Sequence, residues 1–293
     1  MTHTSRSLVA LLVLCGMTVC TAAFKTEHRL VLLTSRHAPS DLEVGGSLQK
    51  VPRGETRFVS YESLLSLPQE SYLVTDDTNF GTRVQVSGVS LEKLPAWLGA
   101  ESGASMVIAI CDDKYAAHYP ASYVAAHHPL LVLKVNGLPP DRWPLGVDRL
   151  PMGPYMVSHP SFKPSFRVLS HDDEQQVPWG VVRLDLRNEQ SVYAPIEPPA
   201  AAAANPDVQQ GYIIARQNCF RCHNRSGEGG QKSTLHWREV AHEALTNPAR
   251  FNAYVRDPKQ FNPQSQMGAN PEYDDATLAA LRKYFSTFAK VPR

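Results

Sequence analysis

The sequence predicts two parts of different fold class: a mixed α+β part over residues 24–195 and an all-α part over residues 207–293. Three observations carry this division. Residues 24–195 hold short apolar runs rich in β-branched side chains and bounded by Gly, Pro or Asn/Asp, as strands are. After residue 206 the apolar residues recur at helical spacing instead. Between the two, residues 196–206 read as a linker, with paired prolines, an alanine run and then Asn205-Pro206.

With 293 residues the chain is long enough for two ordinary cores. A hydrophobic fraction of 43% with 19% charged residues fits a globular protein rather than a disordered one. Residues 207–293 carry a net charge of +4 and residues 24–206 a net charge of −4. Neither balance is extreme enough to point to nucleic acid.

Residues 1–23 read as a secretory leader rather than as part of the fold. Arg6 supplies a basic start, an apolar run extends from Leu8 to Val19, and the small residues Thr21, Ala22 and Ala23 offer a cleavage site. The run is well short of the roughly 20 residues that a spanning helix needs, which disfavours the rival reading of an uncleaved anchor. Cys15 and Cys20 raise a lipid anchor, but neither follows the small residues expected at such a site. No later stretch is apolar enough to span a membrane, so the expected location is periplasmic. Cleavage would leave Cys111, Cys219 and Cys222. With the last two committed to one task, Cys111 has no partner, and a disulfide framework is excluded.

In the first part the strand candidates are "RLVLLTS", "SYLVTDD", "TRVQVSG", "SMVIAIC", "LLVLKVNG", "GPYMVSHP" and "WGVVRLDL". "SYESLLSLP" and "SLEKLPAWLGA" are short helix candidates between them. This mixture implies an antiparallel or mixed sheet. In the second part Asn205-Pro206 supplies an N-cap with proline at the first helical position. Val208, Gly211, Tyr212 and Ala215 then share one face leading into Cys219. Further helices are expected over "LHWREVAHEAL", from Asn247-Pro248 to before Asp257-Pro258, and over "DDATLAALRKYFSTFA". In the last, Leu278, Leu281, Phe285 and Phe288 form a stripe.

The chemistry centres on Cys219-Phe220-Arg221-Cys222-His223. Two thiols three residues apart can reach the two vinyl groups of one haem, and the next residue puts an imidazole under the iron. Zinc would need His236 and His242 to complete its ligands, since no second cysteine pair exists. A redox dithiol belongs at a strand-to-helix junction, whereas helices surround this pair. Export also favours covalent haem. Met267, in the Pro-, Gly- and Asn-rich "FNPQSQMGANP", is the expected sixth ligand, because core packing explains a thioether there poorly. His236, His242 or an open iron position are the alternatives.

On these motifs residues 207–293 resemble a class I (monohaem) cytochrome c domain: a first helix with a glycine and an aromatic, Cys-x-x-Cys-His, Gly227-Glu228-Gly229-Gly230, a methionine loop and a last helix with "LAALRKYF". The resemblance implies Cys219 and Cys222 as thioether attachments of haem c, His223 as proximal ligand and Met267 as distal ligand. Many members carry a Gly-Pro after the glycine turn, whose carbonyl holds the proximal imidazole. This chain reads "GGQKSTLHW" there, so the partner of His223 is left open.

Residues 50–190 resemble the sulfite-oxidase-type molybdopterin domain through "FVSYESLLSLPQ", "SGVSLEKLPAWLGA", "LLVLKVNGLPPDRWP" and "GPYMVSHP". The molybdenum-ligating cysteine of active members falls near "SYLVTDDTNFG", which has none. The resemblance therefore implies a cofactor-free relative. Cys111 reads as a small buried hydrophobe at a strand end. His118, His127 and His128 could hold a metal, but read better as surface or half-buried residues beside Pro129.

The expected function is single-electron transfer between periplasmic redox partners, with the first part used for docking. A molybdopterin-dependent, sulfite-dehydrogenase-like oxidoreductase with an internal haem acceptor is the first alternative. A haem-based sensor is the second.

Overall fold

The computed structural model describes residues 29–161 and 175–289; the expected leader lies outside them. Among the described residues nine strands form one mixed sheet: β1 (Leu42–Gly46), β2 (Arg57–Val59), β3 (Glu70–Val74), β4 (Val84–Ser90), β5 (Met106–Cys111), β6 (Ala116–Pro120), β7 (Leu130–Val135), β8 (Tyr155–Ser158) and β9 (Trp179–Arg187). The order β2-β1-β9-β8-β7-β4-β3 runs across it, and β5, flanked by β6, also pairs with β9. Only β1 and β9 are parallel, with Glu43 opposite Arg183 and Gly46 opposite Leu186. Among the described residues up to 195 the chain is thus mixed α and β, compatible with the α+β class that its short β-rich runs imply.

β9 organises the sheet. Its residue Val181 faces Cys111 of β5 and Tyr155 of β8, and Leu184 faces Ala109 of β5 and Val44 of β1. A strand has two edges, so β5 fills one while β8 and then β1 share the other.

Six of the seven strand candidates form strands. "RLVLLTS" does not: Leu33 makes a single bridge to Phe58. β1, β2, β6 and the helix α3 (Ala121–His127) are additions that strand propensity misses. Both short helix candidates form, as α1 (Tyr61–Leu65) and α2 (Leu94–Leu98). Ser60 caps α1 by accepting the Ser63 amide hydrogen, and Gly99 ends α2 in the left-handed conformation, φ 78°.

Beyond β9 come α4 (Glu189–Tyr193), a 3₁₀ turn (Ala194–Ile196) and α5 (Ala200–Ala203). The expected linker is thus locally helical, and Ile196 is buried, its carbonyl accepting the Tyr284 hydroxyl at 2.6 Å. Four longer helices follow: α6 (Pro206–Asn218), α7 (Trp237–Thr246), α8 (Pro248–Arg256) and α9 (Asp275–Ser286). Asn205 caps α6 from its side chain, with Pro206 at the first position, and Asp274 caps α9. α6 and α9 cross closely at Gly211, where a Cβ would collide with the Ala280 carbonyl and the Tyr284 Cβ.

What positions the site is the alternation of β5 and β6. Side chains on a strand point to opposite faces in turn. Val107, Ala109 and Cys111, with Ala117 and Tyr119, point into the core of the sheet-bearing part. Met106, Ile108 and Ala116 point the other way and join Val192, Ile196 and the apolar faces of α6–α9 in a second core. Both faces are buried, which is why "MVIAIC" is apolar throughout. Among the described residues no helix is long and apolar enough to cross a membrane.

Candidate functional site

Cys219 caps the C-terminus of α6, and the chain continues for one more turn. The amides of Cys222 and His223 both donate to the Cys219 carbonyl, at 3.1 and 2.9 Å. A tight turn follows in which the amides and carbonyls of Arg225 and Glu228 pair. Its central residues Ser226 and Gly227 both have positive φ, 53° and 85°. Gly230 then passes so close to the loop that a Cβ there would overlap the Arg221 carbonyl. This explains two of the three glycines in Gly227-Glu228-Gly229-Gly230 by backbone geometry.

His223 Nδ1 lies 2.6 Å from the Leu235 carbonyl oxygen. An oxygen of that kind only accepts, so Nδ1 carries the hydrogen and Nε2 keeps its lone pair. Burial lowers the pKa of the imidazole, with His236 nearby adding to the effect and the Leu235 carbonyl opposing it. The shift favours the neutral ring, and in the neutral ring the Leu235 contact selects the Nδ1–H tautomer, the form in which histidine can bind a metal through Nε2.

Beside this loop lies a cavity of about 690 Å³. Cys219, His223 and Met267 all line it, with Phe251, Val255, Leu281 and Phe285 supplying an apolar wall. Arg238, His242 and Arg250 also reach it, and Arg250 Nη1 pairs with Glu243 at 2.5 Å. Met267 arrives on a loop tied to α8, where the Tyr254 hydroxyl lies 3.3 Å from Ser265 Oγ. The Met267 amide donates to Ser265 Oγ at 3.3 Å, and Asn270 Nδ2 donates to the Val255 carbonyl at 3.1 Å, tying the loop to the end of α8.

The structure thus brings together three of the four residues expected at the site. Cys222 is half-buried and does not line the cavity. Burial raises its pKa, opposed by the nearby Lys232 and Arg221. Neither Cys219 nor Cys222 is in a disulfide. Of the alternative ligands, His236 is outside the cavity lining and contacts Asn224 Oδ1 at 3.1 Å, whereas His242 lines it. The donor set fits a covalently held haem in residue type: two cysteines outside any disulfide on one turn, of which Cys219 lines the cavity, an imidazole whose Nδ1 faces a carbonyl, and a thioether in the cavity lining.

In the sheet-bearing part, the "SYLVTDDTNFG" segment leaves β3 at Val74. Asp77 there is buried and accepts from Ser158 Oγ at 2.8 Å and from the Asn79 amide at 2.9 Å. Burial raises its pKa. Cys111 ends β5, buried in the sheet core, where burial pushes its thiol pKa well up. The "SYLVTDDTNFG" segment contains no cysteine.

The three histidines do not act together. His127 is half-buried and His128 exposed, as expected, but His118 is buried at 2% exposure, contrary to the surface reading. The cause is its place on β6, whose two faces are both covered. Its ring stacks on Phe220, centroids 5.0 Å apart. Among the described residues no group of three or more His, Cys, Asp or Glu is arranged to hold a metal ion.

No family model matches the chain, and no curated protein matches it. A search of solved structures returned the sulfane dehydrogenase SoxCD from Paracoccus pantotrophus, at a TM-score of 0.34 and 16% identity. The match covers 53% of this chain and 40% of the other, so it spans less than half of that protein.

Proposed function

We propose that the chain is an exported c-type cytochrome, carrying single electrons between redox partners outside the cytoplasm. Residues 207–293 form its cytochrome domain and residues 24–195 dock a partner. Cys219 and Cys222 would hold one haem c through thioether bonds, with His223 and Met267 binding its iron. When bound, haem supplies a one-electron Fe(III)/Fe(II) couple.

The observation that carries this reading is the convergence of Cys219, His223 and Met267 on one apolar-walled cavity, with His223 held as the Nδ1–H tautomer. Phe251, Val255, Leu281 and Phe285 give that space an apolar wall. A thioether ligand and apolar surroundings both favour the reduced state and raise the reduction potential. Arg238 and Arg250 offer cations suited to the carboxylates of the group. Molybdopterin is left out of the proposal, because Asp76 and Asp77 occupy the segment where a thiolate ligand is needed.

The test is expression of the full chain in a host that exports proteins and attaches haem to them. Haem should stay with the wild-type polypeptide through denaturing electrophoresis. It should be lost when Cys219 and Cys222 are both changed to Ala. A wild-type protein without covalently held haem would sink the reading, and stoichiometric molybdenum would favour the sulfite-dehydrogenase-like alternative.

A further inference from the structure

Phe220 lies between the two candidate attachment cysteines, yet its side chain points away from solvent and is fully buried. Three rings enclose it. His118 stacks on its face at 5.0 Å and 26°, Trp237 meets it edge-on at 5.6 Å, and Tyr193 lies tilted at 6.1 Å. Gly229 closes the remaining side, since a Cβ there would stand 2.6 Å from the Phe220 ring. Two of these four neighbours, His118 and Tyr193, belong to the sheet-bearing part of the chain.

The main chain around Phe220 is held from the same direction. The Ala116 amide donates to the Arg221 carbonyl at 2.9 Å, and the Gln231 amide donates to the Lys114 carbonyl at 3.0 Å. Lys232 Nζ pairs with Asp113 at 2.5 Å, and Arg187 Nη2 with Glu228 at 2.5 Å. The turn between β5 and β6 therefore grips the loop at several points.

His118 is itself rigidly placed. It sits opposite Ile108 in the β5–β6 ladder, and its amide donates to Gln176 Oε1 at 3.1 Å. Among the described residues, neither ring nitrogen makes a hydrogen bond of normal geometry. The ring's contact with Phe220 is accordingly one of stacking and packing.

We propose that His118 is a positioning residue for the Cys219–His223 loop, fixing Phe220 by ring stacking and thereby the two thiols and the imidazole on either side. The role of that loop as a haem anchor rests on the function proposed above. The sheet-bearing part is then a structural half of the site as well as a docking element. This differs from a haem domain that is complete in its own helices.

The test uses the full chain as purified, with His118→Leu and His118→Phe. An aromatic pair of this kind contributes about 0.5–1.5 kcal/mol beyond its area, or about two- to tenfold in an opening equilibrium. His118→Leu should speed hydrogen exchange at the His223 and Gly230 amides by about that factor and lower the reduction potential of haem-loaded protein. His118→Phe keeps an aromatic ring and should restore both. Unchanged exchange in His118→Leu would overturn the proposal. So would His118→Phe behaving like His118→Leu, which would assign the effect to the ring nitrogens.

Should His118→Leu fail to fold, Phe220→Leu carries the comparison. It should loosen the same two amides, and wild-type exchange in that variant would also overturn the proposal. Amide exchange reads the loop whatever the haem content. Absence of haem would thus defeat the electron-carrier reading while the positioning role is still measured.

Discussion

The Leu235 carbonyl accepts the Nδ1 hydrogen of His223 at 2.6 Å, across twelve residues of chain. Leu235 is held for this by Ser233, whose Oγ accepts the Leu235 amide hydrogen at 3.1 Å, while the Ser233 amide donates to the Cys222 carbonyl at 3.0 Å. A hydrogen bond from Nδ1 makes the other nitrogen a stronger donor and favours the oxidised metal. Ser233→Ala should loosen the Leu235 carbonyl and, with haem held as proposed, raise the reduction potential modestly. Redox titration of both proteins checks the sign.

Met267 lines the same cavity as His223. If haem is held as proposed, Met267→Ala should abolish a low-spin His/Met absorption signature present in the wild type. It should also lower the reduction potential by a sizeable part of the roughly 0.8 V range that axial ligation commands. An unchanged spectrum would overturn Met267 as the proposed sixth ligand and turn the search to His242, which also lines the cavity.

At the crossing of α6 and α9, Gly211 has no room for a side chain. Gly211→Ala raises helix propensity, which alone favours the folded state by about 1 kcal/mol. Overpacking against Ala280 and Tyr284 opposes it and costs about 1–3 kcal/mol or more. The collision is with backbone as well as side chain, so the second effect wins. Denaturant unfolding should show a net loss of stability.

Acid should destabilise the fold through His118. Its pKa is lowered from 6.5 to about 3, first by burial, then by the Arg221 and Arg187 charges, with the Ala116 carbonyl opposing. The folded-state value lies below the unfolded one, so the associated stability is fully present above about pH 6.5. It is lost as pH falls toward 3, at up to about 1.4 kcal/mol per pH unit. His118→Phe should flatten that slope, and stability measured by denaturant between pH 7 and 4 would show it.

Much of this architecture is legible in the residues, and the gaps have identifiable causes. Asn205-Pro206 marks a helix start because capping is local chemistry, and that cap forms. β6 escapes notice because "AAHYP" has no β-branched residue; its register against β5 makes it a strand. "RLVLLTS" has the right composition, but composition does not supply a neighbour to pair with. At the site, Cys219, His223 and Met267 stand out by residue type. The Leu235 carbonyl does not, since a backbone oxygen leaves no trace in residue identity. His118 is misread for a related reason. A histidine beside a proline looks exposed until the second covered face of β6 is known.

That second covered face has a consequence for how the polypeptide can be divided. Met106, Ile108 and Ala116 are core residues only while α6–α9 lie over them. A chain truncated before Pro206 would present this patch to water and should self-associate, and the helices expressed alone would lose the wall that encloses Phe220. The two halves differ in fold class, yet neither can be exchanged as an independent module. Fusing a different partner-docking part to these helices would require rebuilding the seam from both sides.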